Sequence, residues 1–418
     1  MIAIVGGGIT GLVLGHELSR RGAEFVILEA SAEPGGVMRS RVVDGRVLDF
    51  GPQRTRLTAS VQRLVDELGL RQQLLTAPEL PLYVYRNGRL RVVPFSVGAA
   101  MRTDLFTLPE KLRILAEPLT GPARSDESVA SFLTRKFGRA AYTHMLGPLY
   151  GGLYASDPAD MLMSLTLSRA LEQFAIGDGS ILLRLARMAG RRTPPPACSF
   201  QGGMQELPRA LARAHADRVH LDTAVRAIEG AGHGFRVVTQ TDVWEADQVV
   251  VTVPATAAAG ILRDGFPEVA GVLARLHYNP LAVAHLDSGC DIAGFGYQVS
   301  FAERLETRGV TFNASIFGRK RLFTAYLGGA AHPDVVEWPD DRIGETAARE
   351  FELATGYAAS PISVHRVRMP AWDRSWVALD SLRLPPGLTL AASYESRAGI
   401  EGRIARATAV ARQLTGVQ

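Results

Sequence analysis

A chain of 418 residues, 47% hydrophobic and 21% charged, carries enough apolar material for more than one core, so two or three lobes are expected. Its 46 basic and 42 acidic side chains leave a formal charge of +4, too little to argue for a nucleic-acid partner. No run of about 18 uninterrupted apolar residues suggests a membrane span, and nine histidines and two distant cysteines, Cys198 and Cys290, show neither metal-ligand nor C-x-x-C spacing, so no metal is expected.

The chain opens with Ile2-Ala3-Ile4-Val5, a short apolar strand that runs into Gly6-Gly7-Gly8-Ile9-Thr10-Gly11. Gly6, Gly8 and Gly11 stand at G-x-G-x-x-G spacing, which serves a tight turn, a close backbone approach to a pyrophosphate and close helix–strand packing. A helix with Leu12, Leu14 and Leu18 follows, its first N–H groups turned to the diphosphate. A second strand, Phe25-Val26-Ile27-Leu28, ends in Glu29, where a carboxylate can accept from ribose hydroxyls. These pieces together predict a bound dinucleotide. Met1 lies one residue before the first strand, so no leader and a cytoplasmic location are expected.

After Glu29 come Gly35-Gly36-Val37-Met38-Arg39-Ser40 and then Asp49-Phe50-Gly51-Pro52. The second glycine pair lets the main chain pass a cofactor closely, and Arg39 offers a permanent cation. This segment resembles the G-G-x-x-R-S/T segment of FAD-dependent amine oxidases and porphyrinogen oxidases, so FAD is expected rather than NAD. In those families the stretch matching Gly51-Pro52 returns the chain beside the flavin ring.

Distant segments are expected to complete the same domain. Phe200-Gln201-Gly202-Gly203-Met204-Gln205-Glu206-Leu207-Pro208 precedes a helix with Leu211, and 219–228 reads as one strand whose Val225 gives its backbone to the adenine. Phe235–Thr239 and Gln248–Ala255 read as strands. Leu388–Tyr394 and Gly399-Ile400-Glu401-Gly402 lead into a C-terminal helix, with Ser393, Gly399, Ile400 and Glu401 as further cofactor candidates. Between these pieces, Leu82–Tyr85 and Leu90–Val93 flank Asn87-Gly88, a strong hairpin signal. Residues 108–188 read as mostly helical, with starts at Pro109-Glu110-Lys111 and Ser125–Ser128. Gly190–Pro196 reads as a stiff linker, and 280–330 alternates like strands.

With Glu29-Ala30-Ser31, Glu127–Phe132, Pro148–Pro158, Gly202–Pro208 and Gly294–Ser300 in place, the chain resembles the FAD-dependent protoporphyrinogen/coproporphyrinogen oxidase family within the flavin amine oxidase superfamily. The resemblance implies an α/β fold: a Rossmann-like FAD-binding domain of the amine-oxidase/hydroxybenzoate-hydroxylase type, with an α+β substrate domain and a helical lobe. The expected boundaries are 1–75, 198–264 and 366–418 for the FAD domain, 76–95 and 265–365 for the substrate β domain, and 96–197 for the helical lobe. It further implies oxygen-dependent oxidation of a porphyrinogen, protoporphyrinogen IX or coproporphyrinogen III, in haem biosynthesis, with hydride transfer to FAD N5 and release of hydrogen peroxide. No catalytic side chain is assigned, because the flavin carries the chemistry. Arg56 matches the family arginine that pairs with a propionate, with Arg54 as the competing alignment, and Phe317 resembles a pocket aromatic. Tyr150 and Tyr154 are core or wall. Arg86, Arg89 and Arg91 are a solvated face or serve extra carboxylates. Membrane contact, if any, is peripheral and falls around Leu105 to Leu119.

Two departures stand at the flavin end. Ala392-Ser393 replaces the family's Gly-Asn pair, and Gly402-Arg403 stands where an aspartate-cysteine pair is common. Other readings therefore stay open: a flavin oxidase or desaturase for an amine or a polyene, or a flavoprotein that binds tetrapyrrole without turnover. The scarcity of lysine, with Lys111, Lys136 and Lys320 alone, argues against the amine.

Overall fold

The computed structural model describes residues 1–124, 126–167, 171, 179–188, 194–395 and 399–416. Its central sheet is parallel throughout, in the order Val219–His220, Phe25–Leu28, Ile2–Val5, Gln248–Val251, Leu388–Leu390. Every residue of Ile2–Val5 and Phe25–Leu28 is buried, as expected of parallel strands covered on both faces. Helix Ile9–Ser19 crosses between the first two strands and is buried almost all round. Gly15 permits this closeness, since a Cβ there would sit 2.7 Å from the Phe25 ring. Leu12 and Leu14 share one core with Ile404, Ala407 and Val410 of the C-terminal helix Ile400–Thr415.

The stretch 219–228 is not the single strand its apolar pattern predicts. Val219–His220 joins the parallel sheet, the chain turns at Asp222 with φ 52°, and Val225–Ala231 starts a separate antiparallel sheet with Gly234–Thr239 and Val243–Ala246. Two short runs with the same alternation thus belong to different sheets. All these elements fall in one compact unit made of Met1–Thr76, Pro195–Leu276 and Val377–Gln418. Residues 265–276, expected with the substrate domain, lie here because helix Pro267–Ala274 follows directly on helix Ala255–Leu262.

A second unit, Ala77–Pro194 with His277–Trp376, holds both the segments expected as a β domain and those expected as a helical lobe. Its sheet has seven strands in the order Ala359–Pro370, Tyr278–Ser288, Leu322–Gly328, Thr307–Thr311, Gly296–Val299, Leu82–Arg86, Arg89–Val92. Residues 366–370, expected in the FAD domain, remain here because they pair with Tyr278–Ala282. One face packs on helix Asp340–Thr355 through Tyr297, Val310, Phe312, Phe323 and Phe351. The hairpin at Asn87-Gly88 forms as its sequence demands, with φ 51° and 70° at the two turn residues. The expected alternation over 280–330 is interrupted by one short helix, Asn313–Phe317, which ends at left-handed Gly318.

The helical segments of this unit start where their caps stand. Thr107 and Glu110 form a reciprocal capping box on Leu108–Leu115, and Ser128 caps Val129–Phe137 by accepting from Ser131 N–H. Ser125 and residues 190–193 of the expected linker lie outside the described residues. The core here includes an ion pair: Lys136 Nζ lies 2.6 Å from Glu117, both nearly fully buried. Glu117 also accepts from Ser180 Oγ and from the N–H groups of Ile181 and Leu182, so it caps the helix Ile181–Met188.

Candidate cofactor site

The glycine turn is closed on one side and open on the other. A Cβ at Gly6 would meet Thr252 Oγ1 at 2.7 Å, and one at Gly11 would overlap the Gly6 carbonyl oxygen. These two glycines are occupied by the protein itself. A Cβ at Gly8 would meet nothing within 4 Å, and no side chain caps the helix that begins at Ile9. Uncapped first-turn N–H groups beside open space suit a diphosphate.

The second glycine pair adjoins the first. Gly35 N–H donates to the Gly7 carbonyl at 2.8 Å, and Gly36, at φ 59°, would bring a Cβ to 3.4 Å from Gly8 Cα. Glu29 is buried beside them, its carboxylate accepting from Gly7 N–H at 2.6 Å and from Ser31 N–H at 2.9 Å. Thr223 N–H donates to the Glu29 carbonyl, so the strand carrying Val225 is anchored next to the acid. Arg39 is exposed and donates to Ser31 Oγ at 3.1 Å. A Cβ on Gly51 would overlap the Val37 carbonyl oxygen, so Gly51-Pro52 crosses tightly over the Gly35–Met38 loop.

A buried polar network that the sequence reading missed fixes this arrangement. Asp49 Oδ1 accepts from Ser40 Oγ at 2.6 Å and from Met204 N–H at 2.8 Å. Gln205 Oε1 accepts from Ser40 N–H, and its amide donates to Glu33 and to the Pro34 carbonyl. Gly203, at φ 94°, leaves no room for a side chain against Ser40. The signal available was the Gly202–Gln205 motif itself, whose partners only folding identifies. Thr252 is a second missed residue; its hydroxyl donates toward the carbonyls of Val5 and Gly6 at the turn.

At the C-terminal end, Ser393 offers its carbonyl to Arg403 Nη1 at 3.0 Å, and Arg406 donates to the Leu390 carbonyl at 2.8 Å. Gly399, at φ 87°, stands before helix Ile400–Thr415. Glu401 accepts from Thr58 and Ser60, the start of helix Ala59–Glu67. The open cradle at Gly8, the buried carboxylate and the two adjoining glycine turns fit a dinucleotide.

The model of the flavin containing amine oxidoreductases matches residues 9–415. The chain belongs to that family. This oxidoreductase is 28% identical over 83% of its length to protoporphyrinogen oxidase 1 of Spinacia oleracea chloroplasts, covering 70% of that protein. It is 26% identical to coproporphyrinogen III oxidase of Mycobacterium leprae, over 97% of this chain and 96% of that protein. A solved structure from Exiguobacterium sp. 255-15 that carries the protoporphyrinogen oxidase name superposes with TM-score 0.80 at 21% identity, over 100% of this chain and 99% of that one. Cyclohexylamine oxidase of Brevibacterium oxydans superposes at 0.73 with 17% identity, over 99% and 98%. The oxidoreductase is an FAD-dependent oxidase.

Its remaining candidate residues divide between the units. Arg56, in the first, is exposed and donates to the Pro195 carbonyl at 3.0 Å. Phe317, in the second, is half-buried at the end of Asn313–Phe317, whereas Phe312 fills the core. Tyr150 and Tyr154 pack ring to ring at 5.5 Å, and burial holds the Tyr150 phenol protonated far above its ordinary range. Arg86 and Arg91 are not a solvated face. Arg86 donates to the Leu105 carbonyl and Arg91 pairs with Asp104 at 3.2 Å, so both brace that loop. Burial pushes the Cys198 thiol up to about 11, which leaves it unreactive at neutral pH. Among the described residues no cluster of metal ligands occurs, and no helix is long and apolar enough to cross a membrane.

Proposed function

We propose that this FAD-dependent oxidase converts a porphyrinogen, coproporphyrinogen III or protoporphyrinogen IX, to the porphyrin in haem biosynthesis, with oxygen as acceptor and hydrogen peroxide as by-product. The observation that carries the reading is the likeness to curated protoporphyrinogen and coproporphyrinogen oxidases along most of the chain. The chemistry FAD supplies when bound is two-electron acceptance at N5 as a hydride equivalent, used three times per porphyrin. The chain's own task is to hold the nucleotide and to orient a flat apolar substrate while excluding water.

On this reading Gly8 brings backbone to the pyrophosphate, Gly6 and Gly11 make the tight turn and the close helix packing that permit it, Glu29 takes the ribose hydroxyls, and Gly35, Gly36 and Arg39 close the cradle. Gly51, Pro52, Ser393, Gly399, Ile400 and Glu401 flank the flavin end, and Val225 meets the adenine through its backbone. Arg56 pairs with a propionate and Phe317 walls the substrate slot. Peripheral membrane contact around Leu105 to Leu119 is supported by exposed Leu108, Leu112 and Leu119 beside Lys111 and Arg113. Flotation with anionic vesicles tests that part, and loss of binding in L108S/L112S/L119S is the expected result.

The decisive experiment is aerobic turnover of each porphyrinogen by the purified, FAD-loaded protein. Porphyrin fluorescence should appear with catalase-sensitive peroxide, and failure on both substrates would sink the reading. Flavin bleaching under anaerobic mixing separates an oxidase from a carrier, which would leave the flavin yellow.

A further inference from the structure

Strand Thr307–Thr311 contains an irregularity that redirects an arginine. Its partner strand pairs Leu327 with Thr307 and Tyr326 with Gly309, so Arg308 is the extra residue of a bulge. Regular alternation would place Arg308 on the face of Val310, which packs with Phe312 and Phe351 in the core against helix Asp340–Thr355. The bulge turns it to the other face instead, and bulges commonly re-aim a side chain in this way. The guanidinium accordingly lies 5.4 Å over the Phe301 ring, and Phe301 packs edge-on against Tyr142 at 5.9 Å.

Arg308 has no hydrogen-bond or ion-pair partner among the described residues, although it is largely withdrawn from water. Burial pulls its pKa below the usual arginine value, and the more distant carboxylates of Glu306, Asp157 and Glu350 oppose that pull. Each of those carboxylates is engaged elsewhere. Glu306 faces His332 at 3.2 Å, Glu350 accepts from the N–H groups of Glu306 and Thr307, and Asp157 accepts from Ala159 N–H. A desolvated, partnerless guanidinium is costly unless an anion completes it.

Gln298 stands on the same face. Its neighbours Tyr297 and Val299 point into the helix-covered core, and Gln298 pairs across the sheet with Gly309. Its amide is clasped between two glycines: a Cβ at Gly309 would meet Nε2 at 2.8 Å, and one at Gly152 would meet Oε1 at 2.7 Å. No hydrogen bond engages that amide among the described residues. The Tyr142 phenol, pushed up to about 12 by burial and by Asp157, stays a neutral donor nearby.

We propose that Arg308 and Gln298 form a carboxylate-recognition subsite on the face of the seven-stranded sheet opposite helix Asp340–Thr355, taking one propionate of the substrate. This rests on the porphyrinogen reading. The guanidinium fork matches a carboxylate in two-point geometry, and the amide NH2 adds a third donor.

The test uses the FAD-loaded protein and two stable probes, coproporphyrin III and its tetramethyl ester, with binding followed by fluorescence. R308M should weaken the free acid roughly 10- to 100-fold and leave the ester unchanged. R308K should recover part of the loss, and Q298E, nearly isosteric, should weaken the acid by repulsion. Flavin content and Tm report that the variants fold. Equal affinity of wild type and R308M for the acid, or an equal loss with the ester, would overturn the subsite alone. Failure of the wild type to bind either probe would remove the porphyrinogen reading and the subsite together.

Discussion

The cofactor-side unit works through residues that have no side chain, and the second unit works through long polar side chains that meet after the sheet has formed. At Gly11 and Gly51 the protein's own backbone occupies the space a Cβ would need, and at Gly6 the Thr252 and Val253 side chains do, while Gly8 leaves that space open. In the second unit Lys136 reaches Glu117 from 19 residues away, and Arg308 reaches its face through a bulge. The difference teaches that a dinucleotide cradle is made by steric exclusion. A charged pair or an anion subsite is made by desolvation, and each fails in its own way.

Four single variants and one double variant sharpen this contrast. Lys136→Met should cost the most, about 3–5 kcal/mol in urea unfolding, because it leaves Glu117 buried without a counter-ion. The double variant K136M/E117Q should recover most of that loss; if it does not, desolvation is the wrong explanation. Burial raises the Glu117 pKa, but hydrogen bonds from Lys136, Ser180, Ile181 and Leu182 outweigh it and hold the carboxyl below its usual range. Its contribution is therefore complete above the unfolded carboxylate value of about 4.3 and disappears as pH falls through the lower folded value. Melting between pH 7 and pH 3 should show a steeper acid loss in the wild type than in the double variant.

Gly11→Ala comes next, with about 1–3 kcal/mol of overpacking and poor FAD retention, read by calorimetry and by flavin absorbance after gel filtration. Gly8→Ala should separate the two roles of the turn. Its Cβ meets no protein atom, so apo-protein stability should stay within about 0.5 kcal/mol. FAD affinity should still fall at least about tenfold, because the proposed reading gives that space to the pyrophosphate. Equal stability and equal affinity would refute the assignment of Gly8 to the pyrophosphate. The smallest effect is expected at the hairpin. Gly88, at φ 70° with nothing within 4 Å, should lose about 1 kcal/mol on change to Ala, from backbone conformation alone.

Much of the scaffold was legible because the forces concerned are local. Gly6 to Gly11, the Asn87-Gly88 turn and the Thr107–Glu110 box each state their geometry within a few residues. Errors arose where alternation alone was the guide. The run 219–228 breaks at Asp222 because its two halves satisfy backbone groups in separate sheets. The roles of Arg86 and Arg91 are not legible locally because their acceptors, Leu105 and Asp104, lie beyond the hairpin. The Ser40–Asp49–Gln205 network was invisible for the same reason, since up to 165 residues separate its partners.

The chain's letters alone determined the glycine turn, the acid that follows it and the strand–helix–strand unit that carries them, since glycine spacing and apolar runs encode short-range sterics and burial. Tertiary structure decided which polar groups lose water together: Lys136 with Glu117, Gln205 with Ser40 and Glu33, and Arg308 with no partner among the described residues. Desolvation depends on what packs around a group in three dimensions, and spacing along a strand carries no record of it.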